Sequence, residues 1–260
     1  MSQILATTST VQDVTQGIIF PPGDLYSDEP PLESDLHREQ IELLVRLIKW
    51  HWRERQDFYA TGNLTVYFSP NQKKSEDFRG PDFLVVLDTE KKDRKSWVVW
   101  QEDGKYPNII VELLSDSTAS VDRGLKKQIY QNTFRTPDYF WFDPVSLEFQ
   151  GFHILDGEYH ELIPTPEGWL WSQQLGLYLG VVERKLRFFT PDGQLVLLPE
   201  EEANQQLQQT NQQLQQTNQQ LQQTNQQLQQ TNQQLEQERQ KAEKLAERLR
   251  AAGIDPNELV

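Results

Sequence analysis

The spacing of hydrophobic residues changes several times along the chain, and each change predicts a different element. From Asp35 to Arg55 the apolar residues recur at helical spacing, and Ser34 or Asp35 can serve as the N-cap, so an amphipathic helix is expected. Beyond this helix, short continuous apolar runs are typical of buried strands. The strands predicted in this way cover residues 64–68, 83–87, 96–100 and 108–114.

A second helix and a second group of strands follow. Helical spacing returns over residues 119–133 through Val121, Leu125 and Ile129, and Pro137 ends this helix. Strand-like segments then cover residues 139–142 and 147–155 and continue to about residue 198. A helix, several strands, a helix and further strands predict an α/β or α+β domain, with a mixed β-sheet flanked by helices.

The C-terminal part of the chain is a seven-residue repeat. The sequence NQQLQQT recurs almost unchanged between residues 204 and 235, so that a leucine returns at every seventh position. These leucines are Leu207, Leu214, Leu221, Leu228 and Leu235. Leucine at one core position and threonine at the other would form a thin coiled-coil seam that joins copies of the chain into a homo-oligomer. A solvated, partly helical Gln-rich repeat is the alternative.

Composition limits the classes of protein to be considered. We expect a flexible N-terminal arm over residues 1–24, a globular domain over 25–203 and the repeat over 204–260. The chain contains no cysteine, which excludes disulfides, thiolate zinc sites and a cysteine nucleophile. It shows neither a signal peptide nor an apolar stretch of about 20 residues that could span a membrane, so a soluble cytoplasmic protein is expected.

The charge of the chain bears on its partners. A formal net charge of −14 argues against a protein that binds nucleic acid simply by releasing counterions, because an acidic surface repels phosphates. It does not exclude an enzyme whose carboxylates are screened by a bound divalent metal.

Two carboxylates stand out because they lie in predicted strands. Asp82 follows Pro81 at the very start of one apolar strand, and Glu112 lies within the most hydrophobic strand of the chain. An ionised Glu is costly to bury in such a strand unless it is paired or binds a cation. Strand alternation places Glu112 on the same face as Ile110 and Leu114. A salt bridge to an Arg or Lys of the neighbouring helix is the structural alternative to a functional role.

The second predicted helix adds a row of polar residues. Asp122, Lys126 and Tyr130 are spaced four residues apart and therefore lie along one helical face. By themselves they indicate no more than a helix-stabilising Asp–Lys pair. Together, Asp82, Glu112 and Lys126 would supply the minimum set of groups for phosphodiester hydrolysis. The carboxylates would hold Mg²⁺ or Mn²⁺, the metal would generate hydroxide, and the lysine would stabilise the transition state.

In this order and spacing, the motifs resemble those of the bacterial Uma-type endonucleases, of the PD-(D/E)XK or restriction-endonuclease-like superfamily. The matching segments are Pro81-Asp82, residues 107–118, the helical trio Asp122, Lys126 and Tyr130, and residues 139–144. The resemblance implies a mixed sheet flanked by helices, with a metal held at Asp82 and Glu112. The third position of the superfamily's E-x-K motif is Leu114 here, so that the lysine must come from elsewhere, and Lys126 matches the family's helical lysine.

The same resemblance implies weaker supporting residues. Ser115 matches the first serine of the family's L-S-P-S-T motif, although Asp116 replaces the proline. His37 matches a histidine often found in the family's first helix, but a solvated histidine at a helix start is the favoured interpretation. Glu33 and Glu39 are weaker candidates for a further metal ligand.

Three functions therefore remain open. The favoured one is a divalent-metal-dependent endonuclease that acts on nucleic acid, with DNA the expected substrate. The second is a catalytically silent module with the nuclease fold that binds nucleic acid or protein. The third is an assembly protein that works through its C-terminal repeat.

Overall fold

A computed structural model of the chain describes residues 21, 23–29, 32, 34–69, 78–115 and 122–253. The chain forms two compact units, residues 1–198 and residues 199–260. Strands and helices are mixed in the first unit, and a long helix occupies most of the second, which confirms the predicted α+β class with a C-terminal helix. Among the described residues, no helix is both long and apolar enough to cross a bilayer.

The elements of the first unit occur in the following order. They are α1 (Asp35–His51), β1 (Phe58–Gly62), β2 (Val66–Tyr67), β3 (Phe78–Arg79), β4 (Phe83–Leu87), β5 (Trp97–Val98), β6 (Ile109–Leu113), α2 (residues 122–134), β7 (Asp138–Phe142), β8 (Phe149–Leu155), β9 (Glu158–Glu161), β10 (Leu170–Ser172), β11 (Leu177–Val182) and β12 (Lys185–Phe189).

Helix α1 begins where the sequence predicts and ends at His51, before the predicted end at Arg55. Ser34 is its N-cap, and the Ser34 hydroxyl accepts a hydrogen bond from the backbone N–H of His37 at 3.2 Å. The amide of Gln40, on the buried face, donates to the carbonyl of Leu186 at 2.9 Å and accepts from its N–H at 3.0 Å. These two hydrogen bonds join α1 to β12.

Among the described residues, six strands form the main sheet in the order β1-β4-β6-β7-β8-β9. Strands β6 and β7 are parallel, and the other neighbouring strands are antiparallel. Because a parallel pair cannot be joined by a tight hairpin, the chain crosses from β6 to β7 through α2. This topology places α2 beside the strand that carries Glu112.

The main sheet has a different core on each face. On one face, α1 and the sheet β10-β11-β12 enclose a core to which β6 contributes Ile109, Val111 and Leu113. On the other face, the core contains Ile110 and Leu114 together with Tyr130 and Phe134 of α2. Alternate residues of β6 thus enter opposite cores, as expected for a central strand that is buried on both faces.

Two predicted strands are shorter than expected. The strands predicted at 64–68 and 96–100 pair over only two residues each, as β2 and β5, and Val99–Gln101 forms a 3₁₀ turn. With β3 they form a separate three-stranded sheet. Before β2, the hydroxyl of Thr65 donates to the Glu29 carboxylate at 2.8 Å, and its N–H donates to the Ser27 hydroxyl at 3.1 Å. Ser27 of the N-terminal segment thus accepts the hydrogen bond from the Thr65 N–H that a neighbouring strand would accept if β2 were longer.

Helix α2 differs from the prediction in its winding. Residues 119–121 lie outside the described residues, and the π-helical turns Asp122–Lys126 and Tyr130–Phe134 flank a short α-helical segment, Lys127–Ile129. A π turn bonds each residue to the fifth one along the chain, so the buried face shifts relative to an α-helix. Leu125, one of the apolar residues that define the predicted helical spacing, is accordingly 52% exposed, while Tyr130 and Phe134 enter the core.

The second unit contains a single helix among its described residues, α3 (Pro199–Ala251), which is 53 residues long. It includes the whole seven-residue repeat. The structure describes all of this helix, and none of its residues is buried.

Candidate active site

Glu112, Lys126 and Tyr130 form a hydrogen-bonded cluster between β6 and α2. The Lys126 ammonium lies 3.0 Å from Glu112 Oε2, and the Tyr130 hydroxyl donates to Glu112 Oε1 at 2.6 Å. The Glu112 side chain has no exposed surface, whereas the Lys126 side chain is 18% exposed. Glu112 itself therefore does not contact the solvent, whereas its partner Lys126 does.

Asp82 reaches the same end of β6 from the neighbouring strand. Asp82 immediately precedes β4, whose pairing with β6 begins with Phe83 opposite Val111. Pro81 has no N–H to give to a sheet, and the chain enters β4 only after Asp82. The half-buried Asp82 carboxylate turns to the strand end instead, where its Oδ2 accepts from the N–H of Leu113 at 2.7 Å.

The electrostatics of Glu112 reflect this crowding. Burial is the largest effect and raises the pKa of Glu112 to about 7, and the nearby negative charge of Asp82 acts in the same direction. The positive charge of Lys126 and the hydrogen bonds from Tyr130 and Lys126 lower the pKa of Glu112 in part. The negative charge of Asp82 thus disfavours ionisation of Glu112, and a cation bound nearby would favour it.

His37 contacts the same strand end, contrary to expectation. The prediction of a solvated histidine at the helix start is wrong, because His37 is only 8% exposed and its Nε2 lies 2.7 Å from the carbonyl oxygen of Leu113. With its proton on Nε2, the ring donates to this carbonyl. The first turn of α1 packs against the end of β6, so that Asp82 and His37 hold the two backbone polar groups of Leu113.

The main-chain groups of Leu113 were not among the candidates from the sequence. A leucine in a hydrophobic strand carries no sequence signal of a polar role. Its part in the site becomes visible only when β4, β6 and α1 are packed together.

The remaining candidates lie as follows. Ser115 is partly buried just beyond the end of β6, and Glu39 is exposed on α1. Glu33, residues 116–121 and the side chain of Asp122 lie outside the described residues. Within the described part of the chain, no three His, Cys, Asp or Glu side chains are grouped closely enough to hold a metal ion together.

The structural alternative for Glu112 also finds support in the geometry. A salt bridge to a cation of the neighbouring helix is present, and the cation is Lys126 itself. The lysine that the catalytic hypothesis requires is therefore the one that neutralises the buried glutamate.

Asp138 is a second buried carboxylate, which the sequence analysis did not single out. It has no exposed surface and accepts hydrogen bonds from the Ser172 hydroxyl at 2.6 Å, the Gln174 N–H at 2.9 Å and His153 Nδ1 at 2.7 Å. Like Asp82, it comes just after a proline, at the start of an apolar strand, and this signal could have identified it. It lies on the opposite face of the sheet from Glu112 and joins β7 to β8 and β10.

Comparison with known proteins gives one family match. A family model described as "Uma2: Putative restriction endonuclease" matches residues 18–186, which is more than half of the chain. No curated protein matches significantly. One of the similar solved structures is the crystal structure of a putative nuclease belonging to DUF820 from Anabaena variabilis. It is 13% identical, the alignment covers 56% of this chain and 76% of that chain, and the TM-score is 0.42.

Proposed function

The chain belongs to the Uma2 family, and we propose that it is a divalent-metal-dependent endonuclease centred on Asp82, Glu112 and Lys126. Family membership supports nuclease function in general, and the metal, the substrate and the residues are the proposal. The observation that carries it is the meeting of two carboxylates from neighbouring strands with one lysine at the end of β6. A carboxyl oxygen, an ammonium and a route to solvent are thereby combined in one place.

The donor set fits a magnesium-type ion. Mg²⁺ and Mn²⁺ prefer carboxylate oxygens, and Mg²⁺ is usually bound by one or two carboxylates, with waters and substrate phosphate completing its coordination. Asp82 and Glu112 supply such a pair, and a third acidic ligand is not needed. When bound, the ion would polarise the phosphate and supply hydroxide at neutral pH.

The other residues of the cluster would orient these ligands. Tyr130 holds Oε1 of Glu112 and the N–H of Leu113 holds Oδ2 of Asp82, which limits rotation of both carboxylates. The Lys126 ammonium would hold the attacking water or stabilise negative charge on the phosphate in the transition state. His37 touches neither carboxylate through a described hydrogen bond and would act by fixing the backbone of Leu113.

The proposed substrate is nucleic acid, with DNA favoured over RNA. Because the net charge is −14, we propose that the metal, rather than a broad basic surface, brings the phosphate to the site. We also propose that the chain forms a homo-oligomer through its heptad repeat.

A catalytically silent nuclease-fold module is the second candidate. The observation that favours it is the complete burial of Glu112 against Lys126 and Tyr130, which satisfies the carboxylate without a metal. In that case the protein would bind nucleic acid or protein without cutting a bond.

Cleavage of supercoiled plasmid in Mg²⁺ or Mn²⁺ distinguishes these two functions. The variants are Asp82→Asn and Lys126→Met, and the matched control is Lys127→Met, which makes the same change one residue further along α2, where the lysine packs on the Phe152 ring. We expect the wild type and the control to nick DNA, and the two site variants to be about 100-fold slower or worse. If all four proteins act alike, at contaminant level, on DNA and on RNA, the silent module is the correct function.

A further inference from the structure

Helix α3 exposes a line of leucines along its length. Leu207, Leu214, Leu221 and Leu228 are 57–59% exposed, Leu235 is 68% exposed and Leu245 is 60% exposed. The helix buries none of its residues within one chain. A polar helix of this length with one apolar line gains little stability by itself, because most helical stability in proteins comes from packing of an apolar face. Packing of the leucine line against another helix would therefore stabilise α3.

The threonines next to this line suit a packed seam. The hydroxyls of Thr210 and Thr231 donate to the carbonyls of Gln206 and Gln227, each at 2.9 Å. A hydroxyl satisfied within its own helix does not need water, so these threonines can be covered by a partner helix without leaving a polar group unsatisfied. This observation favours leucine and threonine as the alternating core positions of the repeat.

The positions of the leucines decide between the possible partners and orientations. The partner that matches a strict seven-residue repeat is another copy of the same repeat, since both helices then wind at the same left-handed pitch. If two copies ran antiparallel with their repeats superposed, Leu207 would meet Leu235, but Leu245 would lie beyond the partner's helix start at Pro199. Sliding the helices by seven residues would place Leu245 opposite Asn204 and Leu249 opposite Glu200. Sliding them by fourteen residues would bring Leu249 to Leu207, but Leu245 would then lie opposite Asn211.

Parallel helices in register avoid placing leucines opposite polar residues. Each repeat leucine then meets its own copy, and so do Leu245 and Leu249. A parallel shift by seven residues would still bring repeat leucines together, because the repeat is identical to itself after seven residues. The same shift, however, would set Leu245 against Glu238 and Leu249 against Ala242.

We propose that α3 pairs with a second copy of itself, parallel and in register, and that the non-repeating segment 236–251 sets this register. The repeat supplies most of the length of the seam but cannot distinguish one alignment from another. Leu245 and Leu249 lie outside the repeat, so they favour a single alignment. The consequence is that the two first units are attached at the same end of the paired helices.

Disulfide cross-linking tests the orientation cleanly, because the chain contains no cysteine of its own. The full chain is made as Leu207→Cys, Leu221→Cys and Leu235→Cys, with Gln226→Cys, on the opposite side of the helix from the seam, as the control. After mild oxidation we expect disulfide-linked dimers from all three seam variants and little from the control. Self-linking of Leu221→Cys alone, at the centre of the repeat, or a dimer mass with no self-linked seam variant, would overturn the parallel, in-register pairing. A monomer mass by light scattering, with no linked species, would overturn pairing altogether.

A second experiment tests the register. Chains with Leu214→Cys are co-expressed with size-tagged chains that carry Leu221→Cys, and a disulfide between the two chains reports a shift of seven residues. In register these positions are about 10 Å apart along the helix axis, which is too far to bridge. We expect such links to be rare, and to increase several-fold when Leu245→Gln and Leu249→Gln are added to both chains. Equal amounts with and without these substitutions would overturn the role of segment 236–251. Neither experiment depends on nuclease activity, so their failure is distinct from failure of the proposed function.

Discussion

At the scale of single residues, the bond between Tyr130 and Glu112 is the most informative contact of the site. The Tyr130→Phe substitution keeps the ring in the core and removes the donor to Oε1 of a fully buried carboxylate. A buried charged acceptor that loses its partner costs roughly 1–3 kcal/mol or more, so we expect a fall in the free energy of unfolding of this order in urea. This loss should be present without metal.

A matched control separates this effect from the loss of any tyrosine hydroxyl. Tyr159→Phe removes a similar bond, from the Tyr159 hydroxyl to the carbonyl of Thr136 at 2.9 Å, but the acceptor there is neutral. Because hydrogen bonds to charged groups are worth about twice as much as neutral ones, Tyr159→Phe should cost less. Equal losses in the two variants would mean that Glu112 is protonated in the folded protein.

The sequence predicts some residues of the site better than others, for physical reasons. Asp82 and Glu112 are recognisable because a charge in an apolar strand needs compensation, and Lys126 because helical spacing aligns it with Tyr130. The burial of His37 depends on the docking of α1 against the end of β6, which no local pattern encodes. Whether these residues act on a substrate stays a prediction.

At the scale of elements, Asp138 connects β7 to β8 and β10 through hydrogen bonds. It accepts hydrogen bonds from His153 of β8, from Ser172 of β10 and from the backbone N–H of Gln174. Asp138→Asn keeps the shape but replaces one acceptor oxygen with an NH₂ group. On one side this group would face the N–H of Gln174, and on the other it would force His153 to change its tautomer. We expect a loss of about 1–3 kcal/mol in the free energy of unfolding, measured in urea.

The other end of the same strand offers the control for this prediction. Asp143 follows β7 and caps an exposed turn through bonds from the N–H groups of Val145 and Ser146. Asp143→Asn can still accept both of these bonds at Oδ1, and Asp143 is only partly buried, so the loss should be below about 1 kcal/mol. An Asp138→Asn variant that is no less stable than Asp143→Asn would show that Asp138 does not hold β7 to β8 and β10.

Elements were predicted well where local pattern and packing agree. The runs at 83–87 and 108–114 form β4 and β6, because continuous apolar sequence is what a strand buried on both faces requires. The run at 96–100 is also apolar but forms a two-residue strand and a 3₁₀ turn. An apolar run indicates that a segment is buried, but it does not indicate whether a neighbouring strand is present to pair with it. In α2, the π turns shift burial from Leu125 to Tyr130, which a fixed helical period cannot anticipate.

At the scale of the whole molecule, the sequence alone predicts both the helical C-terminal repeat and the acidic net charge. A coiled coil forms between two chains, so its formation cannot be derived from one chain alone. The sequence of one chain shows only which alignment of two copies would bury the leucines. The charge of −14 constrains binding more directly. Cationic proteins bind DNA by releasing counterions, and Mg²⁺ weakens such binding because it competes for the phosphates.

The proposed metal centre predicts the opposite response to Mg²⁺. If Asp82 and Glu112 hold an ion that also binds phosphate, Mg²⁺ both screens the carboxylates and bridges them to the backbone of the nucleic acid. Fluorescence anisotropy with a short labelled duplex, shown by gel to remain intact, should give affinity that rises on the order of tenfold with millimolar Mg²⁺, equivalent to about 1.4 kcal/mol. Asp82→Asn should lose this increase. Weaker binding of the wild type in Mg²⁺ would show instead that a cationic surface, and not the carboxylate pair, recognises the phosphates.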